Sequence, residues 1–218
     1  MVQPVIEIDE VLKKQASAAV KQGEELRSAV RELTLNALRN RALTLSQIKQ
    51  VLKSVSAGVN AGAAKSTMDV DQVLEQAVGG MDDALLKAVE ANRLALQQVA
   101  SAGQSFEQSQ VKKALGELER LEDEFLNTVK QASESATKSM QAHWATVLQK
   151  KEVSGTEAGE QALATMREFT ERAQSAMREQ RRASVKATQA IGQNFATLAS
   201  GILTGLSEAF EQQKKKGP

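Results

Sequence analysis

Residues 156–213 read TEAGEQALATMREFTERAQSAMREQRRASVKATQAIGQNFATLASGILTGLSEAFEQQ, and this stretch decides the fold. It contains no proline. Its apolar residues recur at steps of mostly three and four: Ala162, Met166, Phe169, Ala173, Ala176, Ala183, Ala187, Ile191, Phe195, Leu198, Ile202, Leu206 and Ala209. That spacing lines one face of an α-helix. Gln180 is the one seam position without an apolar side chain. If continuous, the helix spans about 85 Å at a rise of about 1.5 Å per residue. Thr156, with Gly159 and Glu160 just beyond it, suits the start. Lys214, Lys215 and Lys216 suit the negative end of the helix dipole, and Gly217 and Pro218 stop it.

Within this stretch, Ala187 to Ser207 carries no charged residue. Its length suits a bilayer crossing, but Gln189, Gln193, Asn194 and several hydroxyls make it too polar for one. No transmembrane span is expected. Two readings remain: a helix buried within a bundle, and a helix lying on a hydrophobic surface. Phe195, Leu198, Ile202, Leu206 and Phe210 form the candidate contact row for a surface or a partner. Arg178, Arg181, Arg182 and Lys186 precede it as a candidate basic flank. That flank is either a solvated group facing acidic helices or part of a basic amphipathic element that meets an anionic surface.

The whole chain extends the same pattern. Its only prolines among 218 residues are Pro4 and Pro218, so no residue between them is forbidden from a helix interior. Tyrosine is absent and aromatic residues are 3%, which disfavours a sheet. The fold class expected is all-α, an elongated antiparallel bundle of long, coiled-coil-like helices. It divides into 1–68, 69–152 and 153–218, as parts of one helical domain.

A first helix is expected over Glu7–Asn40, with its seam at Ile8, Leu12, Ala16, Ala19, Leu26, Val30, Leu33 and Ala37, weakened at Gly23 by about 1 kcal/mol relative to alanine. Thr44 and Gln47 form a capping-box pattern before Ile48 and Val51. Gly58 and Gly62 stand four apart, either for close helix approach or at a frayed end. Asp69 and Gln72 form a second N-cap pattern, and Gly79-Gly80 predicts a kink. A break is expected near Gly103–Gln110. A heptad-like seam follows from Val111 through Leu115, Leu118, Phe125, Val129, Ala132 and Ala136, with imperfect packing where Glu122 falls on it, and then shifts through Met140, His143 and Val147. Lys150–Thr156 is the expected turn, after which the last helix folds back against 110–150.

The chemistry sought in the sequence does not assemble. With one histidine and no cysteine, His/Cys zinc sites cannot be built from one chain. A di-iron bundle needs Glu-x-x-His pairs, and Met140 stands three before His143. Asp69-Val70-Asp71 begins like a calcium loop, but Leu74 and Gly80 occupy the positions that need Gly and Glu. No phosphate-cradling loop or nucleophile elbow is present. His143, on an apolar seam, reads as a hydrogen-bonded core histidine or a pH-sensitive packing site, Trp144 as partly buried, and Glu117, Glu119, Glu122, Asp123 and Glu124 as a solvated face. No catalytic, metal or cofactor residue is assigned. The 28 basic and 27 acidic residues nearly cancel, which disfavours a nucleic-acid binder. The start, MVQPVIEIDEVLKK, lacks a basic segment followed by an apolar run, so a cytoplasmic location is expected.

Residues 83–148, with DALLKAVEANRLALQQVASAGQSFEQ and FLNTVKQASESATKSMQAHW, resemble the phasins, bacterial proteins that coat polyhydroxyalkanoate granules. The resemblance implies a helical, self-associating, non-enzymatic protein on a hydrophobic granule, and it transfers no functional residue. The other function expected is a structural coiled-coil scaffold or adaptor, with the same seam as a helix–helix interface.

Overall fold

The computed structural model describes residues 5–39, 41, 43–101, 109–180 and 198–207, and among these every regular element is a helix. In order they are α1 (Val5–Ala19), α2 (Leu26–Arg39), α3 (Leu45–Ala63), α4 (Val70–Ser101), α5 (Ser109–Glu119), α6 (Leu121–Ser133), α7 (Lys138–Ser154) and α8 (Glu157–Gln180). A further helical segment covers 198–207. Buried side chains from all of them join one core, with Trp144, Phe125, Phe169, Leu26, Leu38 and Leu203 among the largest.

The first long helix is two. A 3-10 turn over Val20–Glu25 separates α1 from α2, and Gly23 sits there at φ 60°, ψ −115°. That conformation is accessible to glycine and strained for other residues. Gly23 therefore reverses the chain, where only a weakened turn was expected. The reversal brings Arg41 back to Asp9 at 2.7 Å. Thr44 then caps α3 by accepting from Gln47 N at 3.4 Å, and Asp69 accepts from Gln72 N at 3.0 Å ahead of α4. Both caps satisfy an amide that the helix leaves without a partner.

α1 and α3 run parallel and nearly touch. A Cβ placed on Gly58 would stand 2.6 Å from the Ala16 Cβ, and one on Gly62 would stand 2.7 Å from Ser17 O. The small residues at 58 and 62 thus serve close approach, not a frayed end. Gly80 does the same for α2 against α4: a Cβ there would strike Arg27 O and stand 3.0 Å from Arg31 N. The expected kink at Gly79-Gly80 does not interrupt the helix, and α4 is continuous for 32 residues. Glycine costs a helix about 1 kcal/mol, which the surrounding turns of α4 absorb.

α6 follows the direction of α3, from Lys49–Glu124 at 2.8 Å to Asn60–Ala132 at 3.0 Å. α7 follows α4, with Asp71, Glu75 and Asp82 meeting His143, Lys150 and Lys151 in turn. The turn expected over Lys150–Thr156 is present as the break between α7 and α8, and a further turn, not expected, lies at Glu134–Thr137. Thr137 starts α7 there by accepting from Met140 N at 3.4 Å. At Gly155, φ 77°, the chain passes from α7 to α8, and both helices lie against α4. Residues 181–197 lie outside the described residues, so the expected unbroken helix over 156–213 is described only as α8 and the 198–207 segment. The break expected at Gly103–Gln110 likewise falls largely outside them.

Gly58→Ala and Gly80→Ala are each expected to destabilise the protein by about 1–3 kcal/mol, the usual cost of overfilling a tight contact. Gly116 has no described neighbour within 4 Å of where a methyl group would stand, so Gly116→Ala is expected to stabilise by about 0.5–1 kcal/mol. Urea unfolding followed by circular dichroism reads all three. Equal effects at the three sites would show that close approach is not what places glycine at 58 and 80.

Candidate functional site

Two buried polar assemblies and one charge-free helix stand out. The first assembly surrounds the N-terminus of α8. Asp82, only 2% exposed in the middle of α4, accepts from Glu157 N at 3.1 Å and from Ala158 N at 3.0 Å. Glu122, from α6, accepts from Thr156 N at 2.7 Å. Thr156 accepts from Gly159 N at 3.0 Å through its hydroxyl. Lys151 Nζ stands 3.6 Å from Asp82. The carboxylates come from two other helices and meet the positive end of the α8 dipole. Gly159 is required beneath them, because a Cβ there would lie 2.7 Å from Glu122 Oε2. The site is filled by the protein's own carboxylates, so this helix end has no amides left to offer an anion.

The second assembly joins three helices in the core. Trp144 is fully buried and donates from Nε1 to Asn60 Oδ1, while Asn60 Nδ2 donates to Ala132 O at 3.0 Å. Each polar atom has a partner, as burial demands. Trp144 is therefore a core residue of α7 tied to α3 and, through Ala132, to α6.

Several sequence expectations change here. His143 is half-buried rather than sealed in a seam, and its Nδ1 lies 2.8 Å from Asp71. The acidic run is not one solvated face. Glu122 caps α8, Glu124 pairs with Lys49, and only Glu119 and Asp123 are exposed. Burial pushes the Glu117 carboxyl above the ordinary glutamate range, against the opposing pull of Lys113, the Leu45 amide and Arg120. The heptad-like spacing does distinguish Glu122, which falls on the seam between Leu118 and Phe125, from Asp123, which does not; the partner Glu122 meets there is Thr156.

The charge-free helix carries the predicted contact row. Ala199, Leu203 and Ser207 are buried, whereas Leu198, Ile202 and Leu206 are half-buried and pack at the edge of the core. Gly201 and Gly205 face outward and are exposed. Ser200 Oγ donates to Arg39 O, at 3.2 Å, and Arg41 O, at 3.0 Å, so the helix sits on the corner between α2 and α3. Phe195 and Phe210 lie outside the described residues, as do Arg181, Arg182 and Lys186. Arg178 belongs to α8, and its side chain also lies outside them.

Elsewhere, an open groove of about 620 Å³ runs between α1 and α2 over Ala18, Ala29 and Leu33, with Glu25 and Glu32 on its lining. Among the described residues, no three His, Cys, Asp or Glu side chains converge to hold a metal. Among them, too, no helix is long and apolar enough to cross a membrane.

These features define a helical protein whose polar assemblies join helices to one another. The chain belongs to the family of unknown function DUF6781, which matches residues 1–212. No curated protein and no solved structure matches it.

Asp82→Ala is expected to cost about 2–4 kcal/mol, because it leaves two amides and the Lys151 charge without their acceptor. A double-mutant cycle with Lys151→Met checks the coupling, and additive losses would refute it. Glu117 predicts a pH effect. A carboxyl whose folded value lies above its unfolded value stabilises fully below the unfolded value, and that contribution is lost as pH rises through the folded value. Glu117→Gln is therefore expected to raise stability relative to wild type at pH 7, with the gain shrinking toward pH 4.

Proposed function

We propose that this is a non-enzymatic amphiphilic helical protein that coats or organises a hydrophobic surface, in the manner of a phasin on a polyester granule. The observation that carries this reading is the position of Leu198, Ile202 and Leu206. They form one row on a helix without charge, and the bundle holds them at its edge instead of sealing them in. The flanking Gly201 and Gly205 add no side chains that would hold a surface away. Contact with a polymer or lipid surface would remove the rest of that row from water, at about 25 cal/mol per Å² of apolar area. In this reading Phe195 and Phe210 extend the row, the Arg178–Lys186 cluster flanks it, and the protein is cytoplasmic and granule-associated.

A second reading, a self-associating helical scaffold, draws on a different surface. Ala142, Ala145, Thr146, Gln149 and Val153 are all exposed on α7, at helical spacing and without a charge among them. Val153 is 85% exposed, one of two large apolar side chains left exposed among the described residues. A face of this kind suits side-by-side packing of α7 against another helix, as an elongated, coiled-coil-like assembly would require.

The two readings separate in one experiment. Purified full-length protein is mixed with polyhydroxyalkanoate particles and, in parallel, with phospholipid vesicles, and the bound fraction is measured by sedimentation. Ile202→Gln with Leu206→Gln is expected to weaken particle binding about tenfold or more, with the emission of buried Trp144 unchanged. Unaltered binding by that variant would remove the row from the surface contact. Val153→Lys with Ala145→Lys is expected to leave particle binding intact; loss of a concentration-dependent oligomer in this variant supports the scaffold instead.

A further inference from the structure

We propose that the 198–207 helix is a detachable clasp: it opens from the α2–α3 corner while the rest of the bundle stays folded, and opening exposes the Ala199–Leu203 row beside the Leu198–Ile202–Leu206 row. The inference rests on the surface-binding reading and deepens it, since it says how the same helix is held back and released.

Three features of residues 198–207 make this segment weakly held. Its burial is thin. Leu203 is its one fully buried large side chain, accompanied by the methyl of Ala199 and the hydroxyl-bearing Ser207. α3, by contrast, buries Leu45, Ile48, Val51, Leu52, Val55 and Val59 along its length. Its polar attachment is thin as well. Ser200 shares one hydroxyl proton between Arg39 O and Arg41 O, and both acceptors are backbone carbonyls at the end of α2 that water can serve equally well. No charged side chain belongs to the segment, so it contributes no ion pair from its own residues.

The third feature is its glycines. Gly58, Gly62, Gly80 and Gly159 each lie where a Cβ would collide with a neighbour. Gly201 and Gly205 have nothing among the described residues within 4 Å of that position. Packing therefore does not require glycine at 201 or 205. Each lowers the helix's intrinsic stability. The consequence is local opening at a much lower free energy than global unfolding, the behaviour of segments with few apolar contacts.

Release changes the contact face. In the docked helix one apolar row faces the core and another lies at the edge. Once free, both rows lie on one broad uncharged face, about 100° of helix apart, so the surface competes with the α2–α3 corner for the same helix.

Hydrogen exchange read by mass spectrometry, on full-length protein with and without polyhydroxyalkanoate particles, tests the clasp. Without particles, peptides covering 198–207 are expected to exchange at least tenfold faster than those from α3 and α4. Ser200→Ala removes the corner hydrogen bonds while favouring helix, and is expected to speed 198–207 exchange several-fold with α3 and α4 unchanged. The same variant is expected to bind particles more tightly than wild type. Gly201→Ala with Gly205→Ala is expected to slow 198–207 exchange. If 198–207 exchanges only as fast as α3 and α4, the helix opens only with the whole bundle and the clasp is wrong. If Ser200→Ala leaves both exchange and binding unchanged, the corner contact restrains nothing and the proposal also fails. Fast local exchange with no particle binding by any variant keeps the clasp and overturns the surface assigned to it.

Discussion

The second half of the structure depends on how the N-terminus of α8 is satisfied. A helix that begins against other helices loses water from its first amides, and each needs an acceptor. Here the acceptors are the Asp82 carboxylate from α4, the Glu122 carboxylate from α6 and the Thr156 hydroxyl. The cap fixes the start of α8 against two helices at once and sets the angle at which α8 leaves Gly155. It also accounts for a carboxylate buried in the longest described helix: Asp82 is tolerable there because two amides and Lys151 converge on it. α4 thereby becomes the common neighbour of α2, α7 and α8.

The other constraint is separation. An alanine-rich core gains little free energy per side chain, so helices must come close for dispersion and burial to accumulate. Glycines at the contact points permit that. Gly58 and Gly62 admit the backbone of α1, Gly80 admits α2, and Gly159 admits Glu122. The same logic gives Gly201 and Gly205 their meaning, since they stand where no described neighbour approaches.

Local signals in the chain are legible where the responsible contact is itself local. The all-helical class and the N-caps at Thr44 and Asp69 follow from residues near one another in sequence. Failures occur where a distant residue decides. Gly79-Gly80 reads as a kink until α2 is seen against it. Glu122 reads as a flaw in an apolar seam until Thr156 arrives. The turn at Glu134–Thr137 does carry a local signal, the run SESATKS with Thr137 as cap. A seam that continues in rhythm through Met140 and Val147 hides it, because seams on two successive helices can be joined by a short turn without breaking their spacing. His143 misleads for the same reason, since the assumed continuity places it on a face that Trp144 occupies instead.

The candidate contact row shows a subtler limit. Spacing alone draws the seam through the bulkiest residues, Leu198, Ile202 and Leu206, as if bulk marked the inward face. The bundle instead takes in Ala199, Leu203 and Ser207, one position further round. At the corner where Ser200 meets the Arg39 and Arg41 carbonyls, the residues sealed from water are a methyl, one leucine and a hydroxyl. The bulkier row is left at the edge, half in water. In a helix whose only task is to close a core, that arrangement wastes its best apolar residues. In a helix that also meets something outside the bundle, the same arrangement keeps one row for the core and one for the partner, and the absence of charge over the whole segment then serves both contacts.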